Sequence, residues 1–189
     1  MKKSLKYTII GAAILSLIGL GGFGLNLSKP KAVNVQASFD KIRTIEEATN
    51  EAENVIIGKV IKNEVAYNYV YGEPYPWTDS IVHIEKSFKG NLKGNIVFAQ
   101  EGGLDKETNT MILLENYNVL TPEQQYVFFI RKAYIFDGHT EMENKYVSVG
   151  GPTTVYRIEG AKAKNVIMPE LNKDFSEIEQ IITKKIKNK

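Results

Sequence analysis

The segment Ala66 to Trp77, AYNYVYGEPYPW, concentrates the side chains best suited to recognition. It holds Tyr67, Tyr69, Tyr71, Tyr75 and Trp77, which are four of the ten tyrosines and the only tryptophan. In extended backbone alternate side chains share a face, so Tyr67, Tyr69 and Tyr71 line up. Pro74 and Pro76 stiffen the loop that carries Tyr75 and Trp77. Rings with polar tips offer wide contact area at low entropic cost. Such a face suits a sugar ring, a peptide or a protein surface. The competing expectation is that the same rings cover the open side of a small barrel or brace a loop.

The other chemistry-bearing residues form no catalytic pattern. The chain has no cysteine, so no thiolate, disulfide or lipid-bearing N-terminal cysteine exists. Of the two histidines, His83 stands between Val82 and Ile84 and should sit on a strand's outer face. His139 follows Asp137-Gly138 and should lie in a turn. Neither has ligands at zinc-site spacing. Glu101, Asp105 and Glu107 flank Gly102-Gly103, but EF-hand spacing is absent, so a solvated acidic loop is expected rather than a Ca²⁺ site. No G-x-S-x-G, S-x-x-K, H-E-x-x-H or P-loop occurs. No spacing foretells a pair of glycosidase-type carboxylates. No catalytic residue, metal or cofactor is therefore expected.

The first 37 residues read as an export segment. Lys2, Lys3 and Lys6 give a positive start, Tyr7 to Leu27 is an uncharged, mostly apolar run, and Val35-Gln36-Ala37 is a small-residue cleavage site. Cleavage between Ala37 and Ser38 would release residues 38–189 as one domain. The apolar run is also about 20 residues long, enough for a retained membrane anchor. Both outcomes put the domain outside, secreted or held as a single-pass membrane protein. Gly19, Gly21 and Gly24 satisfy G-x-G-x-x-G, yet they lie within this run, without the strand, helix and acidic partner a dinucleotide site requires.

Removing the export segment reverses the sign of the charge. The whole chain is +2, but beyond Ala37 there are 19 basic and 22 acidic residues, a net −3. That balance speaks against a nucleic-acid partner, which calls for a basic excess. Lys184, Lys185, Lys187 and Lys189 cluster at the C-terminus, as a helix macrodipole favours.

The elements that must position these residues are mainly strands. Thr44-Ile45-Glu46-Glu47 is a capping box opening a short helix to about Glu53. Val55 to Ile61 is β-branched and nearly all apolar, hence a strand buried on both faces. Glu64 to Tyr71 continues or partners it. Thr78 to Phe88 alternates, with Val82, Ile84 and Phe88 on one side and His83, Glu85 and Ser87 on the other. Gly90 and Gly94 mark a hairpin turn to Asn95–Gln100. Glu101 to Thr110 reads as loop, Met111 to Leu114 as a short strand, and Thr121 to Gln124 as a turn before the strand Tyr126 to Lys132. Asp137-Gly138 is another turn. Lys145 to Val149 and Thr153 to Ile158 are strands split by Gly150-Gly151-Pro152. Asp174 to Glu177 is a second capping box. The helix behind it carries Phe175, Ile178, Ile182 and Ile186 in one stripe.

Short hairpin-linked strands with a helix at each end give a mainly β, α+β chain: an OB-like β-barrel with a short N-terminal and an amphipathic C-terminal helix. The Gly58-Lys59-Val60, Phe88-Lys89-Gly90, Gly102-Gly103 and Tyr126-Val127-Phe128-Phe129 pattern resembles secreted OB-fold proteins of Gram-positive bacteria. These are distantly similar to the OB modules of metalloproteinase inhibitors and netrins. The resemblance spans about Thr44 to Ile158. It carries over no inhibitory residue, since those inhibitors act through an N-terminal cysteine. The expected function is non-catalytic binding of a protein, peptide or glycan at the cell surface or in the medium, through Tyr67, Tyr69, Tyr71, Tyr75 and Trp77. The alternatives are an extracellular hydrolase with a carboxylate site near Glu101 or Asp105, and a membrane-anchored structural envelope protein.

Overall fold

A computed structural model of the chain describes residues 30–35, 44–64, 66–68, 75–114, 117–134 and 142–188. The apolar export run with its glycine motif, Ala37, Ser38, Tyr69, Tyr71 and the Asp137–His139 turn lie outside these residues.

The fold is mainly β with two helices. Its centre is a ring of five strands: β2 (Asn54–Asn63), β4 (Pro76–Lys89), β5 (Asn95–Glu101), β8 (Gln125–Lys132) and β9 (Lys145–Pro152). β2 pairs antiparallel with β4 and with β8, and β4 with β5. β9 pairs antiparallel with β8. The ring closes through a parallel pair, in which Val97 and Phe98 of β5 face Lys145 and Tyr146 of β9.

β2 is buried on both faces, as its apolar run predicts, because it separates two cores. Ile56 and Val60 point into the ring, with Val82, Ile84, Ile96, Phe98, Tyr126, Phe128 and Ile130. Phe98 and Phe128 meet there with ring centroids 5.0 Å apart. Val55 and Ile57 point the other way, onto Val127, Phe129 and Tyr156 beneath the helices. α1 (Ile45–Glu51) and α2 (Phe175–Lys187) cover that second layer with Ile45, Ala48, Ile178 and Ile182.

The N-terminus of α1 forms the expected capping box: Glu47 N–H donates to Thr44 Oγ1 at 3.0 Å, and Thr44 N–H to Glu47 Oε2 at 3.3 Å. Its C-terminus meets a cation. Lys89 Nζ donates to the carbonyls of Thr49 at 2.8 Å and Asn50 at 3.2 Å, and to that of Ala52, satisfying acceptors that a helix end leaves open. At α2, Asp174 is the N-cap but makes no side-chain cap bond. The second box does not form, because Asp174 pairs with Lys162 at 2.7 Å and Glu177 with Lys173 at 2.6 Å.

Three strand expectations change. Phe88 does not share a face with Val82 and Ile84. Register shifts in the β2–β4 ladder pass over Glu85 and Phe88 on β4, and Phe88 packs with the helix-side core; each extra residue reverses the alternation. The acidic loop contains β6 (Gly103–Asp105), which turns back as a hairpin into β7 (Thr110–Leu114). β9 runs through Gly150-Gly151-Pro152, and the break falls at Thr153-Thr154 before β10 (Val155–Glu159).

β10 pairs antiparallel with β8 and with β11 (Lys162–Asn165), and β12 (Lys173–Asp174) completes that edge. β3 (Tyr67–Asn68) pairs with the start of β4. β1 (Lys31–Val35) lies parallel along β7, with all but Val35 exposed.

Candidate functional site

The aromatic segment occupies the connection between the first two ring strands, β2 and β4. Three of its five rings are described, and the fold brings them together. Trp77 faces Tyr67 across β3–β4. It is only 6% exposed and packs with Ala99 and Met142, while Tyr67, Tyr75, Ala133 and Val147 lie against the same cluster. Trp77 is thus the pedestal of the site, and Tyr67 and Tyr75 are its half-buried rim. Ala133 and Met142 come from the connection between the last two ring strands, β8 and β9. Two connections far apart in sequence therefore converge on one cluster.

Polar contacts fix the rim. Tyr67 Oη donates to Asp79 Oδ1 at 2.9 Å, and Asp79 Oδ2 accepts an ion pair from Lys145 Nζ at 2.6 Å. The same ammonium stands 4.2 Å from the Tyr67 ring centroid, an attractive placement over the electron-rich face. Asp79 and Lys145 had no signal as site residues in the sequence. Asp79 falls at an outward position of an alternating strand, and Lys145 reaches it through a non-local pairing.

The remaining candidates take structural places. His83 Nδ1 shares a hydrogen bond with Asn95 Oδ1 at 2.8 Å on the exposed face of β4–β5. Asp105 accepts from the Thr108 hydroxyl at 2.7 Å and from Glu107 N–H at 2.9 Å, closing the β6–β7 turn. The Thr108 bond, with help from backbone N–H groups, holds its carboxyl below the usual range despite desolvation. Among the described residues no three His, Asp or Glu side chains are grouped to hold a metal ion. His139 lies outside them.

A second feature was not legible as a site. Asn63, Ser80 and Gln100 form a chain of side-chain bonds, Gln100 Nε2 to Ser80 Oγ and Ser80 Oγ to Asn63 Oδ1, each 2.7 Å. Both ends grip Leu120. Asn63 Nδ2 donates to its carbonyl at 2.7 Å, and its N–H donates to Gln100 Oε1 at 3.1 Å. Tyr117 Oη also donates to Gln100 Oε1, at 2.9 Å. Burial, with the nearby Tyr126 and Glu101, pushes the Tyr117 hydroxyl well above its ordinary pKa. Thr121 N–H donates to Tyr126 Oη at 3.0 Å. Residues 117–121 are thereby pinned, and they form one wall of a cleft of about 320 Å³. Arg157, Lys164, Val166 and Asn172 are among the residues that line the other side.

No protein-family model matches the chain, and no curated protein matches it. The aromatic cluster offers a rigid apolar pedestal, two half-exposed phenol rings and a fixed ion pair, which is equipment for binding. The cleft holds polar and cationic groups. Glu159 is paired to both of the cleft's lining cations, Arg157 and Lys164.

Proposed function

We propose that the chain is an exported, non-catalytic OB-like binding domain that takes a protein, peptide or glycan at its aromatic end. The observation that carries this reading is the packing of Tyr67 and Tyr75 from one connection, and of Ala133 and Met142 from the other, with Trp77 in one cluster. In a five-stranded OB barrel the ligand-binding loops join strands one to two and four to five. The ring order, with its parallel pair between third and fifth ring strands, supports that architecture. The two converging connections hold those loop positions. The resemblance to secreted OB-fold proteins of Gram-positive bacteria is in keeping with it. Against a hydrolase, Asp105 is spent on closing a turn.

On the same reading the export segment carries the domain outside the cell, either released by cleavage between Ala37 and Ser38 or held by the uncleaved segment. One observation favours its retention as an anchor: Lys31–Val35 pairs with β7 over five residues. Cleavage after Ala37 would discard that strand. Sequencing the N-terminus of the protein recovered from cells separates the two, since Ser38 at the start means release.

The binding reading is tested by retention of the full chain on native cell-surface material, comparing protein and glycan fractions. Joint replacement of Tyr69, Tyr71 and Tyr75 by Ser should abolish retention while the chain still melts in one cooperative transition. Retention equal to the parent chain's would overturn the reading.

A further inference from the structure

The cleft beside Leu120 is a site distinct from the aromatic end, and its charge arrangement indicates what it takes. β10 and β11 pair so that Arg157 stands directly opposite Lys164. Like charges opposite one another in a ladder destabilise it. One carboxylate, Glu159, relieves both: its Oε1 pairs with Arg157 and its Oε2 with Lys164. The Lys164 bond first, and then Arg157, hold the Glu159 carboxyl below its usual range. Two cations at the cleft thus share one carboxylate, in a domain whose net charge beyond Ala37 is negative.

The walls are rigid and polar. Asn165 Oδ1 accepts from the N–H groups of Ile167 and Met168 at 3.1 and 2.9 Å, and its Nδ2 donates to Thr153 O at 2.8 Å. Asn172 Oδ1 accepts from Asn165 N–H at 2.8 Å. Across from them stand Asn118 and Thr121, on the segment pinned by Gln100 and Tyr126. Val119, Val166 and Pro169 add an apolar strip. A cleft of about 320 Å³ is at the small end of ligand sites, which run from roughly 300 to 1,000 Å³. It fits one sugar-sized ring with polar edges.

We propose that this cleft binds a small hydroxylated ring bearing one anionic group, a sugar acid or a sugar phosphate. The anion lies on Arg157 and Lys164 in competition with Glu159. The hydroxyls meet Asn118, Thr121 and Asn172.

The test is titration of the isotopically labelled full chain, held in non-ionic detergent, with glucuronate, glucose 6-phosphate, glucose and acetate. The proposal expects saturable binding of at least one sugar anion, with amide shifts at Asn118, Thr121 and Asn172. Glucose and acetate should each bind at least tenfold more weakly. The tighter of the two sugar anions identifies carboxylate or phosphate as the preferred group. Lys164→Gln should weaken binding tenfold or more. Glu159→Gln removes the internal competitor and should tighten it several-fold, a gain that misfolding cannot imitate. Three results overturn the proposal: no saturable binding of either sugar anion, acetate or glucose equalling them, or affinity unmoved by both Arg157→Gln and Lys164→Gln.

Discussion

The ammonium of Lys145 sits 4.2 Å from the centre of the Tyr67 ring. It is held there by Asp79, which also receives the Tyr67 hydroxyl. This trio ties a strand in the β2–β4 connection to the first residue of β9. The Lys145 and Asp79 side chains are 14% and 15% exposed, respectively, so their pairing is largely shielded from water. Asp79→Ala would strand the cation, at a cost of about 2–3 kcal/mol, somewhat below that of a fully buried pair. Replacing both partners, as Asp79→Leu with Lys145→Met, should recover much of that loss. Urea denaturation of the two variants checks the contrast.

Trp77 is expected to behave as core. Trp77→Ala removes a buried ring beside Ala99 and Met142 and should cost about 3–5 kcal/mol. Tyr75→Ala, at the half-exposed rim, should cost about 1 kcal/mol. A binding assay that uses Trp77→Ala would therefore report on folding. Thermal melts of the two single variants measure the difference.

Gly58 is required where β2 crosses β4. A Cβ there would lie 2.4 Å from Val82 Cγ1 and 3.3 Å from the carbonyl oxygen of His83. Val82 is fully buried and β-branched, so it cannot swing away. Gly58→Ala should cost about 2–3 kcal/mol by overpacking. Adding Val82→Ala to Gly58→Ala should be less damaging than the sum of the two single changes, which a double-mutant cycle measures.

Alkaline pH should weaken the fold in a defined window. Burial raises the Tyr156 hydroxyl to about 12, with Asn165 opposing in part. An unfolded tyrosine ionises near pH 10, so the unfolded state loses its proton first. The stability from this group is intact below pH 10 and declines up to pH 12, by about 3 kcal/mol. Tyr156→Phe should flatten that part of the pH–stability curve relative to the parent chain.

The strands of the ring were largely legible because alternation and β-branched runs report burial locally. The N-cap of α1 was legible because Thr44 and Glu47 answer each other within one turn, whereas Lys89 reaches its C-terminus from about forty residues away. Phe88 was misplaced because a bulge shifts parity without leaving a mark on residue types. β11 and β12, Lys162–Asn165 and Lys173–Asp174, are too polar and short to show a period. Alternation grouped Tyr67 with Tyr69 and Tyr71, and the prolines put Trp77 on a loop, whereas Trp77 lies buried in β4 beside Tyr67 and Tyr75. Asp79, Lys145 and Met142 reach them through pairings distant in sequence, and no local pattern encodes those. The facing of Arg157 and Lys164 likewise depends on a register that composition does not reveal.

The parallel pair that closes the ring has a kinetic consequence. β2, β4 and β5 are joined by neighbouring antiparallel pairings, whereas Val97 must wait for Lys145. Such non-local pairings form slowly, since the intervening loop must be closed before any contact repays it. As the chain emerges N-terminus first, β5 keeps an unpaired edge until β9 is available. The barrier to folding should therefore lie at the non-local pairings, this seam together with the still longer-range β2–β8 pair. Substitutions at Phe98 or Tyr146 that weaken the seam should slow refolding more than they speed unfolding.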